Sequence, residues 1–407
     1  MLFLINPLLG IITAFNILFS NIIFFKAKVI NLFIFLLATF LALINSTKIP
    51  ENDLLFHASQ YLEANKFTLL DYLNYIEKEP LGYTFNYLFY YLSGGSVKFW
   101  IIAFSFISYM LFFHAIKRFF IKINAPINLL VLGLILAAFF PQLFSLSAHL
   151  IRQFIASAIF IYFAIDKIFY KNNKWWLVVI GVLTHASSLI LFLLVYFKFL
   201  GNFKRYRIVN IILIIMLLSY QSISKVLLNV FGEMNSTVKY ILVRASADTT
   251  FELGDFQFLN FIMMFVMIFI VLSSNKFIER QFIKEKKHSL WSNNKPLNKN
   301  SQQLVIKKDL KFFFSTMIIL SFFILTNLNQ SELSNRLFFF LFFYFPFIFP
   351  LFIGRFKNST SIGYLLSILF ILFFIYRLVF GVWEYASLSE ISTNTFLSYL
   401  FRLEPII

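Results

Sequence analysis

An all-α bundle of membrane-spanning helices is the fold the sequence predicts, and three observations predict it. Hydrophobic residues make up 60% of the chain and charged residues only 13%, where soluble domains carry about a quarter charged residues. Mean hydropathy is +0.81. The apolar residues also arrive in blocks, each close to the roughly 20 residues a helix needs to cross about 30 Å of hydrocarbon. Helical periodicity inside the blocks is weak, as expected where lipid and neighbouring helices are equally apolar.

Ten spans are expected, near 2–25, 29–46, 97–116, 127–146, 150–169, 208–227, 257–275, 312–328, 337–353 and 361–380. The first run has no basic stretch before it and no small-residue cleavage site after it, so it reads as a retained span. The whole chain, 1–407, reads as a single integral membrane domain. No internal repeat is evident.

Charge orients the bundle, because Lys and Arg near span ends are held on the cytoplasmic side. Basic connectors are Lys26/Lys28, Lys117/Arg118/Lys122, Lys167/Lys171/Lys174, Lys198/Lys204/Arg205/Arg207, the stretch 276–311 with its ten Lys or Arg, and Arg355/Lys357. Acidic residues gather in the alternate connectors, chiefly 47–96 and 228–256, which become the outer loops. The net charge of +17 is therefore a topology signal and calls for no nucleic-acid partner. The 276–311 stretch, rich in Lys, Asn, Gln and Ser, reads as a solvated cytoplasmic linker.

Residues 175–200 break this alternation. They are apolar, yet both flanks are basic, so one plain crossing would invert everything downstream. A re-entrant hairpin or a pair of half-helices centred on Thr184-His185-Ala186-Ser187-Ser188 restores the parity, with both termini outside; one ordinary helix that violates the charge bias is the alternative. Non-helical backbone at membrane depth survives where protein or a wet cavity satisfies its polar groups. In the outer loop 47–96, the run Tyr83 to Leu92 reads as an interfacial helix, since tyrosine combines an apolar body with a hydroxyl tip.

Several chemistries are excluded or lack their signatures. The chain has no cysteine, which rules out disulfides, thiolate nucleophiles and Cys-ligated zinc. Nucleophile-elbow, phosphate-loop, dinucleotide and zinc-protease motifs are missing. The five histidines show no ligand spacing, so no metal site and no cofactor is expected.

Ionisable residues in or beside apolar spans are costly and are functional candidates by default. Arg152, near the outer end of its span, has no acidic neighbour within a helical turn; it reads as an anion-binding group or as a residue snorkelling to a structural acidic partner. His185, in the proposed break, suits proton transfer or hydrogen bonding to a phosphate, or is a core histidine satisfied by a carbonyl. Arg336 opens a late span after Glu332 and is either an anion site or half of a salt bridge. Arg244, in the loop 228–256, is a weaker candidate for anion binding. Glu79 and Asp53 flank the first outer loop, where a carboxylate walled by apolar groups becomes a general base and a solvated one does nothing.

These segments, in this order, resemble the EpsG-like branch of the Wzy-type polysaccharide polymerases, over most of residues 50–350. The likeness is carried by Asp53 and the Glu79-Pro80 turn, by Ile151-Arg152-Gln153-Phe154-Ile155-Ala156, by Thr184-His185-Ala186-Ser187 within the segment from Trp175 to Tyr196, and by Ser334-Asn335-Arg336. The charged 276–311 insert has no counterpart in the family pattern. What the resemblance implies is a metal-independent glycosyl transfer at the outer face of the bacterial inner membrane. A growing O-antigen, capsule or exopolysaccharide chain would leave undecaprenyl diphosphate and join the next lipid-linked repeat unit. Arg152, Arg336 and Arg244 would hold the diphosphate, and His185, Glu79 or Asp53 would act on the acceptor hydroxyl. The implied partners are the lipid-linked glycan, membrane lipid, a chain-length regulator and a flippase.

Three rivals remain at this stage. An O-antigen ligase runs the same chemistry on another acceptor but has a larger outer loop; a flippase or transporter of lipid-linked glycans favours internal repeats and paired broken helices; a membrane O-acyltransferase shares only a membrane histidine.

Overall fold

The computed structural model describes residues 1–20, 27–48, 52–76, 79–196, 219–231, 258–284, 299–326, 331–380 and 393–401, with a few single positions between them. Among the described residues all regular structure is helical. This agrees with the expected all-α membrane bundle. The chain divides into two compact units, residues 1–165, 173–189 and 356–407, and residues 166–172 and 190–355.

The first unit opens with α1 (Leu2–Ile5) and α2 (Pro7–Ser20), separated at Asn6. Asn6 Oδ1 accepts from Leu9 N–H, and proline at the first position of α2 has no N–H to leave unsatisfied. Helix α3 (Ala27–Asn45) packs along α7 (Val97–Lys122), and α7 along α8 (Ile127–Phe139). Every residue of α8 from Asn128 to Phe139 is buried, which makes this helix the centre of the unit. Pro141 begins α9 (Pro141–His149) at a bend of 49°, because proline cannot continue the ladder of the preceding helix. Helix α10 (Ile151–Phe169) follows after a single residue.

Between α3 and α7 the outer loop is folded. It forms α4 (Asn52–Leu62), a 3-10 turn (Glu63–Lys66), α5 (Leu69–Ile76) and α6 (Pro80–Ser93). These helices share a small core of Ala64, Tyr72, Ile76 and Tyr83. Trp100 of α7 ties it down, stacking on Tyr61 at 5.1 Å and donating its indole N–H to Asn86 Oδ1. The aromatic stretch is thus helical as expected, but Tyr83 and Asn86 face protein, and only its other side, with Leu88, Tyr91 and Leu92, is exposed.

Helix α11 (Trp175–Thr184) ends at His185, whose extended backbone leads into a 3-10 turn (Ala186–Ser188) and then α12 (Leu189–Tyr196). The break lies where the sequence placed it. Among the helices of the second unit are α13 (Tyr220–Phe231), α14 (Phe258–Lys284), α15 (Lys299–Thr326), α16 (Ser331–Phe342) and α17 (Phe345–Ile353). There α14 packs on α17 and α15 on α16, with Phe313 against Tyr344 and Phe347. Helices α18 (Ser359–Phe380), which lies on α8, and α19 (Phe396–Phe401), which reaches α1, complete the first unit.

Among the described residues, four helices are long and apolar enough to cross a membrane, and up to six spans result if each bent pair counts as one. The ten expected runs differ in two ways. Those at 127–146 and 337–353 are kinked at Pro141 and near Pro346, and the described part of 2–25 holds a shorter apolar helix. The run at 150–169 is one helix that carries Arg152, Asp166 and Lys167 within its 19 residues. Most of 208–227 lies outside the described residues. The basic stretch 276–311 departs from a plain linker, because 276–284 prolongs α14 and 299–311 begins α15. Lys, Gln and Glu are good helix formers, and extending a helix already nucleated in an apolar span avoids the nucleation penalty.

Candidate functional site

Three interruptions of regular helix meet within the first unit, and each presents an ionisable side chain. Glu79 stands immediately before Pro80, the first residue of α6, with φ 48° and ψ 58°. A residue before proline is pushed away from the right-handed helical region, and a left-handed glutamate is strained by about 1–3 kcal/mol. Arg152 occupies the first turn of α10, where the helix dipole disfavours a cation. His185 is the break residue after α11. Each position is locally unfavourable, so their common meeting point requires compensation from one another.

The compensation is direct. Glu79 Oε2 pairs with Arg152 Nη1, and His185 Nδ1–H donates to Glu79 Oε1 at 2.8 Å. The Ala186 backbone N–H also donates to this carboxylate. The side chains of Glu79, Arg152 and His185 are only 9–12% exposed. Burial by itself would raise the carboxyl pKa, but the His185 hydrogen bond and the Arg152 charge outweigh it and hold Glu79 at about 2.

A second shell fixes the arginine. Arg152 Nη2 donates to His57 Nε2 at 3.2 Å, so His57 is neutral there with its proton on Nδ1. The guanidinium lies 4.9 Å over the Tyr83 ring, and the Tyr83 hydroxyl donates to Gln60 Oε1 at 2.6 Å. Gly82 lets α6 approach the break: a Cβ there would stand 3.3 Å from the Thr184 carbonyl oxygen and 3.6 Å from Arg152 Cδ.

Because ionised Glu79 can only accept, the His185 nitrogen that faces it, Nδ1, is assigned a proton, and Nε2 is the ring atom turned away from the carboxylate. That atom is buried and has no hydrogen-bond partner among the described residues. An imidazole backed by a carboxylate is, in its neutral form, the arrangement of a general base.

Of the residues expected to act, Arg152, Glu79 and His185 come together. Two expected details change. Arg152 is ion-paired, through a residue 73 positions away in the chain, so it answers to the acidic-partner alternative rather than to an open anion receptor. Glu79 is held ionised by its two partners, with a pKa lowered to about 2, which suits it to orient His185. Asp53 lies exposed in the first turn of α4, apart from this cluster. Arg336 stands half-buried on α16, in the other unit, and Arg244 lies outside the described residues. Among the described residues no group of three or more His, Asp or Glu could hold a metal ion.

Sequence reasoning missed His57 and Tyr83. The signal for His57 was present: Leu54, Ala58 and Tyr61 mark the buried stripe of α4 at helical spacing, and His57 falls inside it.

The fold and the site together define a helical membrane protein with a buried Glu–Arg–His cluster in its first unit. Residues 31–399 match the model of the EpsG family, and the chain belongs to that family, a group of Wzy-like polysaccharide polymerases. The matched region includes every residue of the cluster. No curated protein and no solved structure matches the chain.

Proposed function

We propose that the protein polymerises undecaprenyl-diphosphate-linked oligosaccharide repeat units into a surface polysaccharide, at the outer face of the bacterial inner membrane. One observation carries the reading: the buried His185 imidazole, held at Nδ1 by an ionised carboxylate and with no hydrogen-bond partner at Nε2 among the described residues. Membership of the EpsG family and the apolar helices support the same assignment.

In the proposed reaction a hydroxyl oxygen of the incoming repeat unit attacks the anomeric carbon of the growing chain. Its proton passes to His185 Nε2 as the new glycosidic bond forms. The bond from the anomeric carbon to the diphosphate breaks, and its electron pair departs with undecaprenyl diphosphate. Glu79 stabilises the imidazolium that results, and Arg152 keeps Glu79 ionised and in place. A diphosphate is a good leaving group, and no step requires a metal.

The test is to give purified protein a lipid-linked repeat unit in detergent and resolve the products by size. A ladder of longer glycans is expected. Detergent leaves no compartment to transport across, so a transporter yields unchanged substrate, and that result overturns the proposal.

A further inference from the structure

Among the described residues, many hydroxyl groups in the apolar helices bond back to a carbonyl one turn earlier. Ser108 bonds to Phe104, Ser157 to Gln153, Ser321 to Met317, Ser367 to Gly363, and Thr184, beside the break, to Ile180. This is the usual way a serine in an apolar helix satisfies itself. Ser187 and Ser188 do not: both Oγ atoms are buried and have no hydrogen-bond partner among the described residues. Orphaned buried hydroxyls are costly, and two in succession call for an explanation.

Their position supplies one. Both belong to the 3-10 turn that follows His185, and at three residues per turn positions 185 and 188 share a side. Four residues therefore carry three open polar atoms, His185 Nε2, Ser187 Oγ and Ser188 Oγ. In the neutral imidazole that the proposed base requires, with the proton on Nδ1, Nε2 can only accept, whereas each hydroxyl donates or accepts. A phosphate oxygen can use the hydroxyls but offers nothing to Nε2. A sugar offers both kinds of group, one hydroxyl donating to Nε2 and its neighbours bonding to the serines.

We propose that Ser187 and Ser188 form the acceptor-sugar subsite, positioning the hydroxyls that flank the one delivered to His185. The proposal rests on the glycosyl-transfer reading above and deepens it by naming the substrate part this turn holds.

The experiment titrates full-length protein in detergent with two probes in parallel. One is the free repeat-unit oligosaccharide, released from its lipid by mild acid; the other is inorganic pyrophosphate. Ser187→Ala and Ser188→Ala should each weaken oligosaccharide binding roughly 3- to 10-fold, the worth of one neutral hydrogen bond, and leave pyrophosphate binding unchanged. Ser187→Thr, which keeps the hydroxyl, should restore the oligosaccharide affinity. Unchanged oligosaccharide affinity in both alanine variants overturns the subsite, as does a loss confined to pyrophosphate, or an equal loss of both probes with a lowered Tm. If wild-type protein makes the ladder while the serine variants bind normally, only this subsite fails; if wild-type protein neither binds the oligosaccharide nor makes a ladder, the polymerase reading fails with it.

Discussion

Glu79 Oε1 lies 2.8 Å from His185 Nδ1, across 106 residues of sequence. That hydrogen bond sets the tautomer of the histidine and therefore the direction in which it can take a proton. His185→Ala should lower the polymerisation rate by roughly 10²- to 10⁴-fold, the usual worth of a positioned general base. Glu79→Gln keeps a hydrogen-bonding side chain but removes the charge that stabilises the imidazolium, and should cost at least about tenfold, near 1.4 kcal/mol of barrier. Both variants are measured by ladder formation in detergent. Full activity in His185→Ala would remove the base from the scheme.

Arg152 has two separable duties, a charge for Glu79 and a fork that also reaches His57. Arg152→Ala leaves a buried carboxylate without its cation, which destabilises by about 3–5 kcal/mol where the site stays dry. Arg152→Lys retains the charge but cannot bridge both partners in one plane, so it should recover part of the stability and little of the activity. The double variant Arg152→Met/Glu79→Gln should recover stability and remain inactive. Thermal unfolding and ladder assays on the same preparations check the set; an active Arg152→Ala protein would show that the arginine serves neither duty in catalysis.

Much of this site was legible because ionisable residues are rare in apolar sequence. Arg152 and His185 stand out against runs of Ile, Leu and Phe, and Thr184-His185-Ala186-Ser187-Ser188 interrupts a run that would otherwise be a plain helix. The kink at Pro141 follows from the missing proline N–H. Pairing was not legible. Nothing local joins Glu79 to residues 73 and 106 positions away, and such contacts are tertiary decisions. Tyr83 was read as interfacial because a stretch of nearly continuous aromatics has no period to mark its inner face. The helical ends of 276–311 were obscured by charge, which suggests solvent whether or not the backbone is coiled.

Acid should loosen the outer helices through Glu79. Its folded pKa of about 2 lies below the ordinary value of 4.5, so the folded state binds its proton less tightly than the unfolded state does. The stabilisation is fully present above pH 4.5 and is lost as pH falls toward 2. Melting temperature should therefore decline across that window in wild-type protein and decline less in Glu79→Gln. Parallel curves for the two proteins would mean that the carboxylate is not held as described.

Gly82 is the position where α6 comes nearest the break that carries His185. An added Cβ would stand 3.3 Å from the Thr184 carbonyl oxygen, tighter than ordinary contact, and 3.6 Å from Arg152 Cδ. The carbonyl belongs to backbone and can yield only by moving the turn, so Gly82→Ala should displace His185 by a few tenths of an ångström relative to Glu79. Catalysis is more sensitive to such a shift than stability is, since misplacement of about 1 Å costs roughly 10²-fold in rate. Alanine also favours the helix over glycine by about 1 kcal/mol, which offsets part of the strain. The expected outcome is a several-fold loss of ladder formation with Tm nearly unchanged, and a larger loss of both in Gly82→Val. Wild-type activity in Gly82→Val would show that the approach of α6 to the break does not position the base.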